Sequence, residues 1–191
     1  MEKESKHEEL INKIRAAYAK SSREQKDVLE DLFGKEFLQP KDITERVKTL
    51  EDAISVLGND NQAVIDYFVL CNKNISKSII AFAKLRVISE ALNEGWKPTF
   101  DKDECRYYPW FFILRKEEYD KLNENHKKKC FVFQLPNDFG TYGGSVLCFL
   151  DSTYSVTSSS TESYRLSLKT KELAEYCGKQ FIDIWGDYLF C

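Results

Sequence analysis

The chain contains two histidines, His7 and His126, and that scarcity limits the chemistry it can do. A catalytic thiol or hydroxyl needs a base beside it. His7 lies in a strongly polar N-terminal stretch, so a Cys-His or Ser-His pair would have to be built on His126 alone. Six cysteines, Cys71, Cys105, Cys130, Cys148, Cys177 and Cys191, are spread without a close pair, whereas zinc ligands ordinarily come as close Cys or His pairs. No catalytic residue, metal ligand or cofactor is assigned. Asp101 and Asp103 have the chemistry for acid-base work, and equally the composition of a solvated turn. Gly140-Thr141-Tyr142-Gly143-Gly144 lacks the Lys-Ser/Thr ending of a phosphate-cradling loop and reads as a hairpin connection, with Tyr142 placed to cover a pocket mouth. His126-Lys127-Lys128-Lys129 is a dense basic cluster, but Glu117, Glu118, Asp120 and Glu124 cancel much of its field.

Recognition is better represented than catalysis. Residues 96–112 hold Trp96, Phe100, Tyr107, Tyr108, Trp110, Phe111 and Phe112 together with Pro98 and Pro109. Aromatics so concentrated build either the seam of a core or a binding surface. Trp96, Tyr107, Tyr108, Trp110 and, from the glycine-rich loop, Tyr142 are the candidate contacts for a ligand or partner. Strand alternation sends Tyr107, Pro109 and Phe111 to one side and Tyr108, Trp110 and Phe112 to the other. One set must face away from the main core.

The elements that position these residues are legible in the patterning. The first 95 residues read as successive helices. Leu10, Ile11, Ile14, Ala17 and Tyr18 recur at helical spacing, and Ser21-Ser22-Arg23-Glu24-Gln25 supplies a capping box before Val28, Leu29, Leu32 and Phe33, with Gly34 as the stop. Asp42 and Glu45 open a helix whose apolar face is Val47, Leu50, Ala53, Ile54 and Leu57, ending at Gly58. A shorter helix runs through Tyr67 and Leu70. Ser76 then caps a long one that is apolar over more than one stripe, which predicts a central position.

Past Gly95 the pattern becomes that of strands. These are predicted over Tyr107 to Leu114, Cys130 to Leu135, Ser145 to Leu150, Thr153 to Ser158 and Tyr164 to Leu168, with helical turns over Lys116 to Asn123. Pro109 forces its strand to an edge or a bulge. Thr170 caps a final helix carrying Leu173, Ala174, Cys177, Phe181, Ile184, Trp185, Tyr188 and Leu189 on one face, to be packed on the sheet. Gly178 and Gly186 within it predict close approach by another element. The expected class is α+β: an N-terminal helical bundle followed by a small antiparallel β-sheet packed by a C-terminal helix. Residues 1–95 form the helical region and 96–191 the sheet and last helix, packed together as one unit.

Composition narrows the setting. With 191 residues, 42% hydrophobic and 31% charged, and a net charge of -3, the chain can bury a sizeable core and has no general electrostatic grip on nucleic acid or anionic membrane. No apolar run approaches the roughly 18 residues of a membrane span. The polar start is unlike a signal peptide, and five of the six cysteines lie in apolar runs as small buried hydrophobes, so the expected compartment is the cytosol. Between Lys129 and Arg165 there is no Lys or Arg, and the acids are Asp138, Asp151 and Glu162. Strand edges so poor in charge call for a cover, either the last helix or another subunit.

Leu92-Asn93-Glu94-Gly95-Trp96-Lys97-Pro98, Arg106-Tyr107-Tyr108-Pro109-Trp110-Phe111, Arg165-Leu166 and the run from Glu172 to Phe181 together resemble an uncharacterised protein family of gut Bacteroidales and their phages and prophages. The stretch from Glu45 to Ala53 resembles the helical portion of the same family. The resemblance implies a phage or mobile-element setting in a bacterial host cytosol and carries no site residues. The expected function is that of a non-enzymatic binding or assembly protein, whose partner is a second copy, a host or phage protein, or a small ligand. Two alternatives stand beside it. One is a single-stranded nucleic-acid-binding accessory protein using aromatic stacking and Lys127 to Lys129; the other is a small enzyme with acid-base chemistry from His126 or Asp101 and Asp103 in a cleft.

Overall fold

The computed structural model describes residues 10–11, 13–18, 20–38, 40, 42–99, 101, 103–127, 131–134, 145–155 and 164–190. The chain divides into two compact units, Met1–Arg46 and Val47–Cys191. In the first, residues 13–18 are helical and are followed by α1 (Arg23–Phe33), α2 (Lys35–Leu38) and α3 (Ile43–Arg46). The capping box at α1 forms as its sequence predicts: the Gln25 amide donates to Ser22 Oγ and the Ser22 amide to Gln25 Oε1 at 2.9 Å. The chain leaves α1 at Gly34, whose φ of 79° is open to glycine without strain.

The second unit holds α4 (Leu50–Leu57), α5 (Gln62–Cys71), α6 (Lys77–Leu92), β1 (Arg106–Leu114), α7 (Lys116–Asp120), α8 (Glu124–Lys127), β2 (Phe131–Gln134), β3 (Val146–Ser155), α9 (Lys171–Gln180) and α10 (Ile182–Phe190). The α+β class stands. The single helix expected from Asp42 to Leu57 is instead two, α3 and α4, because Thr49 makes its own start. Its hydroxyl accepts from the Asp52 amide while Asp52 Oδ2 accepts from the amides of Thr49 and Lys48, a cap that is incompatible with helix running through the site.

As its two-sided apolar pattern requires, α6 is central. Ala81, Ala83, Leu85, Val87, Ile88, Ala91 and Leu92 are buried, and the helix packs against α4, α5 and α10. Its end is tied to the chain after the sheet by Asn93, a buried side chain whose amide donates to the Ser167 carbonyl at 2.9 Å and whose oxygen accepts from the Lys169 amide at 3.0 Å. Leu168, held between those bonds, exchanges backbone hydrogen bonds of 3.0 and 2.9 Å with Tyr107 at the start of β1. Elsewhere in the second unit, Tyr176 Oη and Gln180 Nε2 on α9 donate to the Val47 and Lys48 carbonyls at 2.8 Å, fastening the entry to α4.

The sheet is antiparallel, in the order β1-β3-β2. Pro109 sits on an edge strand, next to a bulge between Trp110 and Phe111, so both positions that tolerate its missing N–H are used. Several expectations are corrected here. Asp151-Ser152, polar enough to read as a turn, runs through β3 opposite Trp110 and Pro109, and the bulge absorbs the irregularity. Tyr164 to Leu168 is a 3-10 turn over Tyr164–Leu166 followed by the lone Tyr107–Leu168 bridge rather than a strand. The final helix breaks at Phe181, buried with φ −116° and ψ 30°. That bend lets α9 lie on β1 and β3 while α10 lies between β2 and α6.

Both glycines of this pair lie under an aromatic ring. A Cβ on Gly178 would overlap the Phe149 ring and stand 2.8 Å from Pro109 Cβ; one on Gly186 would overlap the Phe133 ring. Rings continue the packing across layers: Phe111 lies 5.6 Å from Phe149 and 5.5 Å from Trp185, Trp185 6.1 Å from Tyr188, and Tyr188 5.8 Å from Phe82 on α6. Gly178→Ala is expected to destabilise the protein by about 1–3 kcal/mol through overpacking, even though alanine gains up to about 1 kcal/mol in helix propensity. A lowered midpoint in urea unfolding checks it; an unchanged or raised midpoint would show that α9 can lift off the sheet without cost.

Candidate functional site

Pleat and register divide the sheet side chains between two faces. Pro109, Phe111, Phe133 and Phe149 face α9 and α10 and are largely covered. The opposite face carries the rows Phe112–Cys148–Val132 and Leu114–Val146–Gln134, with Trp110 beyond them opposite Asp151. Trp110 is 46% exposed, Phe112 43% and Val132 40%, while Cys148 lies buried in the middle of its row. Three large apolar side chains thus remain in water on one side of a three-stranded sheet.

One end of this outer face is closed by α7, which follows directly from β1. Between them lies a groove of about 200 Å3, lined by Val132, Gln134 and Val146 from the sheet and by Lys116, Tyr119 and Asp120 from the helix. Arg115 takes the helix-start position, where its amide donates to Glu118 Oε2 at 2.8 Å. Lys127 on α8 pairs with Glu124 at 3.4 Å and stands 5.9 Å from the Tyr119 ring centre. Polar, cationic and anionic groups therefore rim an apolar floor.

Of the aromatic residues singled out by sequence, Trp110 is exposed on this face. Tyr108 has the same strand parity but is buried, with 5% of its surface accessible, and Trp96 and Tyr107 are half-buried. Trp96 follows the Glu94-Gly95 turn at the end of α6, where its amide donates to the Asn93 carbonyl at 3.0 Å. Tyr142, together with the glycine-rich loop and Lys128 and Lys129, lies outside the described residues. Phe112 and Val132 were not assigned to the site from the sequence. Their signal was the same alternation that points Trp110 outward, but pairing β2 with β3 was needed to bring Val132 beside them.

Among the described residues, the groups with catalytic chemistry lie on separate elements. His126 is exposed on α8, its amide capped by Asn123 Oδ1 at 2.8 Å. Asp101 and Asp103 are exposed and form a turn in which the Asp103 amide donates to Asp101 Oδ1 at 3.3 Å. Among the described residues, no group of three His, Cys, Asp or Glu side chains could hold a metal ion, and no helix is long and apolar enough to cross a membrane.

Cys148 and Cys177 are buried as expected, but Cys71 is exposed. It ends α5, which packs on α6 through Ala63 and Val64 and leaves Ile65, Phe68 and Val69 in solvent. Its apolar run points to an interior thiol, but the end of α5 that carries it lies in solvent. In the first unit a hollow of about 460 Å3 is lined by Ser21, Glu24, Gln25, Val28 and Leu29, with no convergent ionisable pair. No protein-family model, curated protein or solved structure matches the chain.

Burial pushes the Cys177 thiol up to about 12, away from any nucleophilic role near neutrality. The unfolded chain ionises this thiol at its ordinary value near 9.0. Its contribution to stability is therefore complete below that pH and falls as pH rises from there to about 12, because the unfolded state then binds fewer protons. Cys177→Ala is expected to flatten the alkaline limb of the stability curve, measured by urea unfolding at a series of pH values. An unaltered alkaline slope would mean that the thiol is not closed off from water.

Proposed function

We propose that the chain is a non-enzymatic binding or assembly protein whose working surface is the outer face of the sheet. The observation that carries the reading is the joint exposure of Trp110, Phe112 and Val132 on a face whose reverse side packs against α9 and α10. Their exposed parts amount to roughly 250 Å2 of mostly apolar area, whose removal from water is worth about 6 kcal/mol. A surface of this kind supports recognition of a macromolecule, because the adjoining groove of about 200 Å3 is smaller than the roughly 300 Å3 at which small-molecule sites begin. The family resemblance supports a phage or mobile-element setting in a bacterial cytosol.

The test is photo-crosslinking with p-benzoylphenylalanine at position 110, 112 or 132, in cells of the source organism. A covalent adduct of defined mass is expected from these positions, and none from the same group at exposed Asp103. Failure to trap any protein from all three positions would overturn the reading.

A further inference from the structure

The rim of the outer face carries a charge pattern that selects among partners. Lys116 and Asp120 stand one helical turn apart on α7 and both line the groove over Val132, Gln134 and Val146. Both are exposed, and neither makes an ion pair or hydrogen bond among the described residues. Within one helix, a cation placed a turn before an anion is the weaker of the two possible orders, so little holds them to each other. Among the described residues flanking them on and beside α7, Arg115 and Lys121 balance Glu117 and Glu118 in sign. A polyanion would need an excess of cations here, and a strongly basic segment an excess of anions.

What matches an apolar centre bordered by one cation and one anion at helical-turn spacing is the same surface turned by a two-fold axis. Setting α7 antiparallel to α7 of another copy brings Lys116 opposite Asp120 twice, because residues four apart exchange places about the midpoint between them. We propose that the outer face docks a second copy of this chain, Trp110, Phe112 and Val132 packing at the centre and Lys116 and Asp120 pairing reciprocally at the rim. This inference rests on the outer face being the working surface. The apolar area of roughly 250 Å2 per copy is about a third of the roughly 800 Å2 per partner of a standard interface. The dimer is accordingly reversible and concentration-dependent.

Sedimentation velocity on the full chain across a wide concentration range tests this with four variants. The unmodified protein is expected to dimerise as concentration rises, and Trp110→Glu to stay monomeric. Lys116→Glu and Asp120→Lys each juxtapose like charges and should weaken dimerisation about tenfold; the double variant Lys116→Glu/Asp120→Lys restores opposite pairing and should recover most of the affinity. The charge variants lie on exposed positions, so they remain informative if Trp110→Glu does not fold. A monomer at the highest soluble concentration, a dimer insensitive to Trp110→Glu, or a double variant no better than the single ones would each overturn the proposal. Should the protein be monomeric while position 110 still traps a chain of different mass, the second-copy inference falls and the outer-face reading survives.

Discussion

The arrangement of the second unit depends on how closely α9 and α10 sit on the sheet. At Gly178 and Gly186 there is no side chain between helix backbone and ring, so Phe149 and Phe133 rest in the space that a Cβ would fill. Interiors are packed tightly enough for one methyl group to matter. This approach packs two short helices on one face of a three-stranded sheet, while on the other face α7 borders a groove at one end and Trp110, Phe112 and Val132 are exposed.

A second constraint joins the helical layer to the sheet. Asn93 replaces water with two backbone partners at the point where α6 ends, and the segment it holds pairs with Tyr107. Buried amides bonded in this way contribute little net energy when satisfied and cost much when broken, so the contact specifies geometry more than it adds stability. The aromatic series from Phe149 through Phe111, Trp185 and Tyr188 to Phe82 supplies the apolar continuity between the same layers. Aromatic residues of this chain accordingly divide between two tasks. Phe111 builds the interior and its neighbours Trp110 and Phe112 border solvent, as strand alternation demands.

The proposed role follows from where apolar surface and charge are left over. Among the described residues, Cys148 and Cys177 are buried and Cys71 and Cys105 are exposed. Around the outer face, apolar floor and charges of both signs are adjacent, which is the composition of a contact surface with a polar rim.

Much of the local structure was legible in the residues themselves, because capping, glycine stops and apolar period act over a few positions. Ser22 with Gln25, Thr170, the stops at Gly34 and Gly58, the central α6, the edge or bulge at Pro109 and the close approaches at Gly178 and Gly186 all follow from that short-range grammar. What it did not contain was the choice among locally acceptable continuations. Asp151-Ser152 became strand because β1 is long enough to pair with it, the last helix bent at Phe181 because it meets both the sheet and α6, and Cys71 stayed exposed at the end of α5, away from the Ala63 and Val64 side that is buried. By itself, therefore, the sequence determined that an aromatic strand would present one face inward and one outward. Only the tertiary structure decided that Trp110 would be exposed and Tyr108 buried, and that Val132 and the α7 charges would join Trp110, because burial and cross-strand adjacency are set by contacts between residues far apart in the chain.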